Sequence, residues 1–340
     1  MLDNYKNSSR YVGESLQIDE KNLLCKSNKR VGEIDFAKGI LIMLMVLFHL
    51  TNFTRNYEIL TQWVYAFHMS GFLLLSGYLL NINKTKLEFL KSVAAILYPY
   101  IFFEFIYLSA VSILGKTMES SNQFTLSIYS LIQNIVLSPI GTYWYLHTLI
   151  ICMLVYFFIN RLKICNFNIL VFTGCVLYIF SVLIPGLRWE NIIYFLIGCC
   201  IKKYGLQLKD VIYPSVLSVV PILLISIFCR NFYRSDLSGL GLTIFVLSFC
   251  MGIYNYVHSH IGKFYRWLGR NSLAIVLFSP LFTVFTKIYI SLFSFDGTII
   301  LWAIFSLTIV IGLCLICAWV CDKIGVSKLL ISKNMYSNYE

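Results

Sequence analysis

From about residue 34 to residue 321 the chain alternates long apolar runs with short polar connectors that carry Lys and Arg. The runs are apolar at both odd and even positions. A transmembrane barrel needs segments of about ten residues that alternate apolar and polar. A lipid-embedded helix needs roughly 20 mostly apolar residues, with every backbone hydrogen bond closed inside the segment. The pattern therefore predicts an all-α, polytopic integral membrane bundle of about ten helices. Spans are expected near 36–53, 63–80, 91–114, 143–159, 167–185, 191–200, 212–229, 239–257, 272–290 and 298–321, the sixth being short. The apolar stretch 126–137 is too short to cross and is expected to lie at the interface or re-enter. Were it to cross, an eleventh span would put the C-terminus on the other side.

Charge selects between those counts. Lys and Arg concentrate on the cytoplasmic side of membrane proteins. In the ten-span scheme twenty of them fall on the side of the N-terminus, including Lys84, Lys86, Arg161, Lys202, Lys203, Lys263, Arg266 and Arg270. Five fall on the other side: Arg55, Lys116, Arg188, Arg230 and Arg234. Both termini are thus expected in the cytoplasm. Residues 1–33 form a polar tail with no signal-peptide core, 34–321 the membrane domain, and 322–340 a second cytoplasmic tail. No internal repeat is visible.

Composition agrees. Of 340 residues 59% are hydrophobic and 13% charged, against about 45–50% and about 25% in soluble domains. The net charge of +11 sits in connectors, and no nucleic-acid motif accompanies it, so nucleic acid is not an expected partner. Most of the eleven cysteines lie inside apolar runs. Cys314, Cys317 and Cys321 share one helix stripe, which reads as soft packing rather than as a metal site.

An ionisable residue within a span is costly in lipid and marks a candidate site. The first span carries Glu33, Asp35 and Lys38 at its mouth and His49 deeper. Eleven helical steps bring Lys38 and His49 to one face, about 16 Å apart along the axis, with Asp35 one turn before Lys38 and able to pair with it. The bland alternatives are a snorkelling lysine and a packing histidine. The second span offers His68 and a run of small residues, Gly71, Ser76 and Gly77, suited to close helix approach. Glu104 in the third span needs a cation or must stay protonated. Tyr143, Trp144 and Tyr145 open the fourth, where an aromatic belt is the plain reading. His258 and His260 are expected to be solvated.

Taken in order, these residues resemble the acyltransferase family 3 membrane O-acyltransferases. The stretch Arg30 to Gly39 followed by His49 is similar to the family's opening, Arg or Lys, ten residues, then His. Phe67-His68-Met69 through Ser76-Gly77-Tyr78 resembles its second span, particularly in the fucose 4-O-acetylase-like branch. Tyr143-Trp144-Tyr145-Leu146 resembles its Trp-Phe-Leu motif, and Tyr194 to Gly198 and Leu268 to Leu273 resemble two later blocks. One departure stands out: where many members end an aromatic-apolar stretch with His, this chain has Phe278-Ser279-Pro280.

The resemblance implies a multi-pass protein of the bacterial inner membrane that transfers acetyl from cytoplasmic acetyl-CoA, or another acyl-CoA, to a hydroxyl of a cell-surface or lipid-linked glycan. No tightly bound cofactor and no metal are expected; the partners are acyl-CoA, the glycan or lipid-linked saccharide acceptor, and membrane lipid. His49 would deprotonate the acceptor or carry the acyl group, Lys38 would orient the donor, and Asp35 would hold Lys38. Arg30, His68, Ser76, Glu104, Tyr143 and Trp144 would bind substrates, with Ser76 and Tyr143 as oxyanion donors. The rival readings are a transporter or flippase for a lipid-linked saccharide, which usually shows two related halves, and a non-catalytic partner of a glycan-assembly complex.

Overall fold

The computed structural model describes residues 32–117, 127–162, 166–229, 232–331 and 333–339. Among these there is no strand. The helices are α1 (Gly32–Leu47), α2 (Thr51–Asn56), α3 (Glu58–Leu79), α4 (Lys86–Thr117), α5 (Ile128–Ile132), α6 (Trp144–Asn160), α7 (Asn166–Leu183) and α8 (Trp189–Lys203). They continue with α9 (Leu208–Val211), α10 (Val219–Phe228), α11 (Leu237–Ile253), α12 (Ser259–Arg270), α13 (Ser272–Phe285), α14 (Ile300–Lys323) and α15 (Val326–Ile331).

Every predicted span holds a helix, and among the described residues five segments are long and apolar enough to cross a membrane by length and composition: Glu58–Leu79, Lys86–Ser112, Gly141–Asn160, Ser272–Phe293 and Ile300–Lys323. Outward faces of the bundle are apolar too. Ile304, Phe305 and Ile316 on α14, and Val182 and Leu183 on α7, are exposed, as expected where lipid replaces water around a helix that is hydrophobic all round. The remaining predicted spans are shorter. Predicted span 212–229 contains α10, ten residues long, preceded by a 3₁₀ turn at Val216–Ser218. Within the stretch expected at the interface, residues 128–137 form α5 and one π turn, Gln133–Leu137, far too short to cross.

Two helix crossings fix the site's frame. At the first, α3 lies on α8 with Gly77 against the Phe195 carbonyl and Gly198 against the Leu74 carbonyl, where a Cβ would overlap the backbone. At the second, Gly39 of α1 meets the Tyr265 carbonyl and Gly269 meets the Asp35 carbonyl in the same manner. Small residues permit such contacts between helices in lipid. The second crossing corrects the reading of 258–271 as a simple basic connector: most of it is α12, a helix packed on the first half of α1. Its buried residues Gly262, Leu268 and Gly269 form a narrow stripe, while Lys263 and the exposed His258 and His260 face outward. The chain's end is tied to this helix. Ser337 exchanges hydrogen bonds with the Asn271 side chain and accepts one from Trp267 Nε1 at 2.7 Å.

Candidate functional site

The first helix ends two residues before His49. Continued α-geometry would send the His49 amide to the Met45 carbonyl. Instead that amide bonds Val46 at 3.1 Å, and His49 Nδ1 lies 2.6 Å from the Met45 oxygen. The side chain thus caps an otherwise orphaned carbonyl and tightens the last turn. Regular helical steps from Lys38 thus run only to Leu47. Because a carbonyl can only accept, Nδ1 carries the proton, and the neutral ring presents its lone pair at Nε2.

Two aromatic neighbours enclose the ring. Tyr65 lies 5.8 Å away and His68 6.4 Å away, centroid to centroid. Tyr65 donates its phenol to the Phe48 carbonyl at 2.6 Å, which holds the turn carrying His49. His68 is buried; its Nδ1 pairs with the Val64 carbonyl at 2.8 Å, and its Nε2 has no partner. His49 lines a cavity of about 290 Å³ with Tyr65, Tyr107, Thr142, Ser279 and Lys287. Thr142 and Ser279 line this space with His49, and their buried Oγ1 and Oγ have no partner among the described residues.

A second cavity of about 530 Å³ adjoins it, sharing Tyr65 as a wall. It is lined by Gln62, Trp144, Arg188, Glu190, Asn191 and Arg234 among others. Arg234 donates from Nε to the Tyr65 carbonyl at 2.6 Å and from Nη1 to Asn191 Oδ1 at 3.1 Å, with its guanidinium 4.9 Å from the Trp144 ring. Loop 138–142 contributes Ser138 and Pro139 to this cavity and Gly141 and Thr142 to the first. Both cavities lie at the end of the bundle opposite the start of α1. A larger hollow of about 700 Å³ beside Arg55–Leu60 and Trp63 holds no histidine.

The expected residues divide between the two ends. His49 and His68 come together, 6.4 Å between ring centroids. Lys38 and Asp35 lie half-buried near the start of α1, and Lys38 does not line the His49 cavity, so the two candidate groups stand at opposite ends of one helix. Ser76 bonds the Tyr145 hydroxyl at 2.9 Å, and Tyr143 is fully buried and donates to the Leu277 carbonyl at 2.8 Å. Neither borders the His49 cavity, whereas Thr142 and Ser279 do. Among the described residues Glu104 meets no cation; its Oε1 accepts the Ile140 amide at 2.8 Å, anchoring loop 138–142. Trp144 supports Arg234 rather than facing lipid as part of a belt. Arg30 lies outside the described residues.

Arg234, Tyr65, Thr142 and Ser279 escaped the sequence reading, though signals existed for two. Arg234 is one of five basic residues on the disfavoured side, where a charge calls for a local reason. Ser279 lies in the stretch where many members carry a histidine that this chain lacks.

Comparison with known proteins gives one match: a family model described as an acyltransferase domain covers residues 31–319. No curated protein and no solved structure matches the chain.

Proposed function

The chain belongs to the acyltransferase family 3 membrane proteins, and on that premise we propose that it transfers an acetyl group from cytoplasmic acetyl-CoA to a hydroxyl of a cell-surface or lipid-linked glycan in a bacterial inner membrane. The observation that carries the reading is His49, with Nδ1–H spent on Met45 and Nε2 left as a base beside a hydroxyl-lined cavity.

In this reading acetyl-CoA docks at the cytoplasmic mouth, where Lys38 and the basic α12 attract its phosphates and the long pantetheine arm points inward. The acceptor hydroxyl enters the His49 cavity from the opposite side, the side the positive-inside rule assigns to the exterior. His49 Nε2 takes the hydroxyl proton as the oxygen attacks the thioester carbonyl carbon. Thr142 and Ser279 hydroxyls donate to the developing oxyanion, and their lack of partners at rest suits that task. The carbon–sulfur bond then breaks, the proton passes from His49 to the thiolate, and CoA leaves as the thiol while the ester remains on the sugar. Glu104 and Tyr65 position the walls.

The test is acetyl transfer from radiolabelled acetyl-CoA to bacterial glycan by the purified protein. Label should enter the glycan with wild type and vanish with His49→Ala. Wild-type incorporation by His49→Ala would refute the mechanism.

A further inference from the structure

We infer that the Arg234 cavity is a second saccharide subsite, so that the preferred acceptor is at least a disaccharide with its non-reacting sugar held there. The inference rests on the acyl-transfer reading and adds the size and binding mode of the acceptor. The His49 cavity, about 290 Å³, has room near the lower limit for a small-molecule site, enough for the ring that reacts. Its neighbour, about 530 Å³, shares two walls with it, Tyr65 and loop 138–142. A chain of sugars lying across both would put one hydroxyl at His49 and its neighbour beside Arg234.

The chemistry of the larger cavity favours a neutral sugar over a phosphate. Arg234 is held in place before any ligand arrives: Nε and Nη1 bond the Tyr65 carbonyl and Asn191, the guanidinium lies over Trp144, and its own carbonyl accepts the Tyr194 hydroxyl at 2.8 Å. Ordering a flexible arginine in advance removes an entropic cost from binding. Two of its three nitrogens are already engaged, which leaves Nη2 as a donor with free hydrogens but breaks up the fork that clamps a phosphate. The second cation, Arg188, stands 3.5 Å from Glu190, so the cavity also holds a carboxylate that would repel an anion and accept sugar hydroxyls. Gln62, exposed to the cavity and bonded to nothing among the described residues, offers both a donor and an acceptor. Mixed donors and acceptors beside aromatic rings match the alternating hydroxyls and C–H faces of a saccharide.

The experiment compares kcat/KM for a disaccharide or longer acceptor with that for the matching monosaccharide glycoside, using wild type, Gln62→Ala and Arg234→Lys. Wild type should prefer the longer acceptor. Arg234→Lys, which keeps the charge but loses the two-point tether, should reduce that preference about tenfold, chiefly through KM. Gln62→Ala, which breaks no bond in the resting protein, should reduce it by a smaller factor and fold normally. Transfer by wild type with equal preference for both acceptors overturns the subsite. So does a preference that both variants retain, or one in which only acceptors bearing phosphate are affected. Absence of transfer to any saccharide by wild type would instead strike at the proposed function itself.

Discussion

Replacing Ser279 by alanine should stabilise the protein and disable it, two effects of opposite sign from one atom. Within a membrane helix a serine hydroxyl usually bonds the carbonyl four residues back, as Ser70 does with Ala66 at 3.0 Å and Thr173 with Ile169 at 2.7 Å. Ser279 Oγ does not; it is buried, 1% exposed, and has no partner. A buried polar group without a hydrogen bond carries a desolvation penalty of about 1–3 kcal/mol. Ser279→Ala removes that penalty and little packing, so about 1 kcal/mol of added stability is expected, a rise of about 2 °C in the unfolding midpoint. If the hydroxyl donates to the oxyanion, its loss should cost turnover about 100-fold, near 2.7 kcal/mol, the lower figure for one donor of a pair. Thr142→Val repeats the test with an isosteric side chain on the other wall. Thermal unfolding of detergent-solubilised protein, read beside kcat for acetyl transfer, measures both. A lowered midpoint with unchanged turnover would show that the hydroxyl is a structural bond and would sink the oxyanion assignment.

Two further outcomes test the frame around the site. Gly269→Ala places a methyl on the Asp35 carbonyl at the α1–α12 crossing; backbone on both sides cannot yield as a side chain would, so a loss of about 1–3 kcal/mol in stability is expected, seen in the same unfolding assay, and an unchanged midpoint would mean that the helices do not pack this closely. Cysteines introduced at Lys84 and Lys116 should react with an impermeant reagent from opposite faces of sealed vesicles, and labelling of both from one face would break the assignment of sides.

Much of the bundle was legible because lipid leaves a strong imprint: long apolar runs with charge confined to the connectors locate α3, α4, α6, α13 and α14 within a few residues. The imprint weakens where helices are short. Residues 212–229 are apolar enough for a span, yet Pro214 and Ser215 interrupt them and α10 keeps only ten residues. Helix α12 was invisible as a packed element because its outward face carries the very charges that mark a connector. Its pattern is nonetheless strongly amphipathic, a signal overshadowed by the long apolar runs on either side, and only two glycines and a leucine form its fully buried stripe. The site was legible by residue type more than by geometry. His49 and His68 were found as costly groups in lipid, whereas Arg234 depends on contacts with Tyr65 and Asn191, 169 and 43 positions away. No local pattern encodes such pairs.

The placement of His49 also explains why a base should stand at the end of a helix rather than within it. Mid-helix the same bond must share a carbonyl that already accepts a backbone amide, as the His68 ring does with Val64. At the C-terminal end the Met45 oxygen needs a donor, so one hydrogen bond ends α1, fixes the proton on Nδ1 and leaves Nε2 for the substrate. The same end of the helix carries the negative pole of its dipole. An imidazolium formed there as the acceptor hydroxyl loses its proton is stabilised by up to about 2 kcal/mol in a partly buried setting, and the stabilisation exists only once the charge has formed. The cost is distance. Between Lys38 and His49 the side chains of Leu41, Ile42, Met45 and Val46 are wholly buried, so that face of α1 gives the donor no passage. A thioester entering beside Lys38 must reach His49 along another face of the helix or through a parting of packed neighbours, and the tight turn at Met45–His49 is the fixed point towards which either route leads.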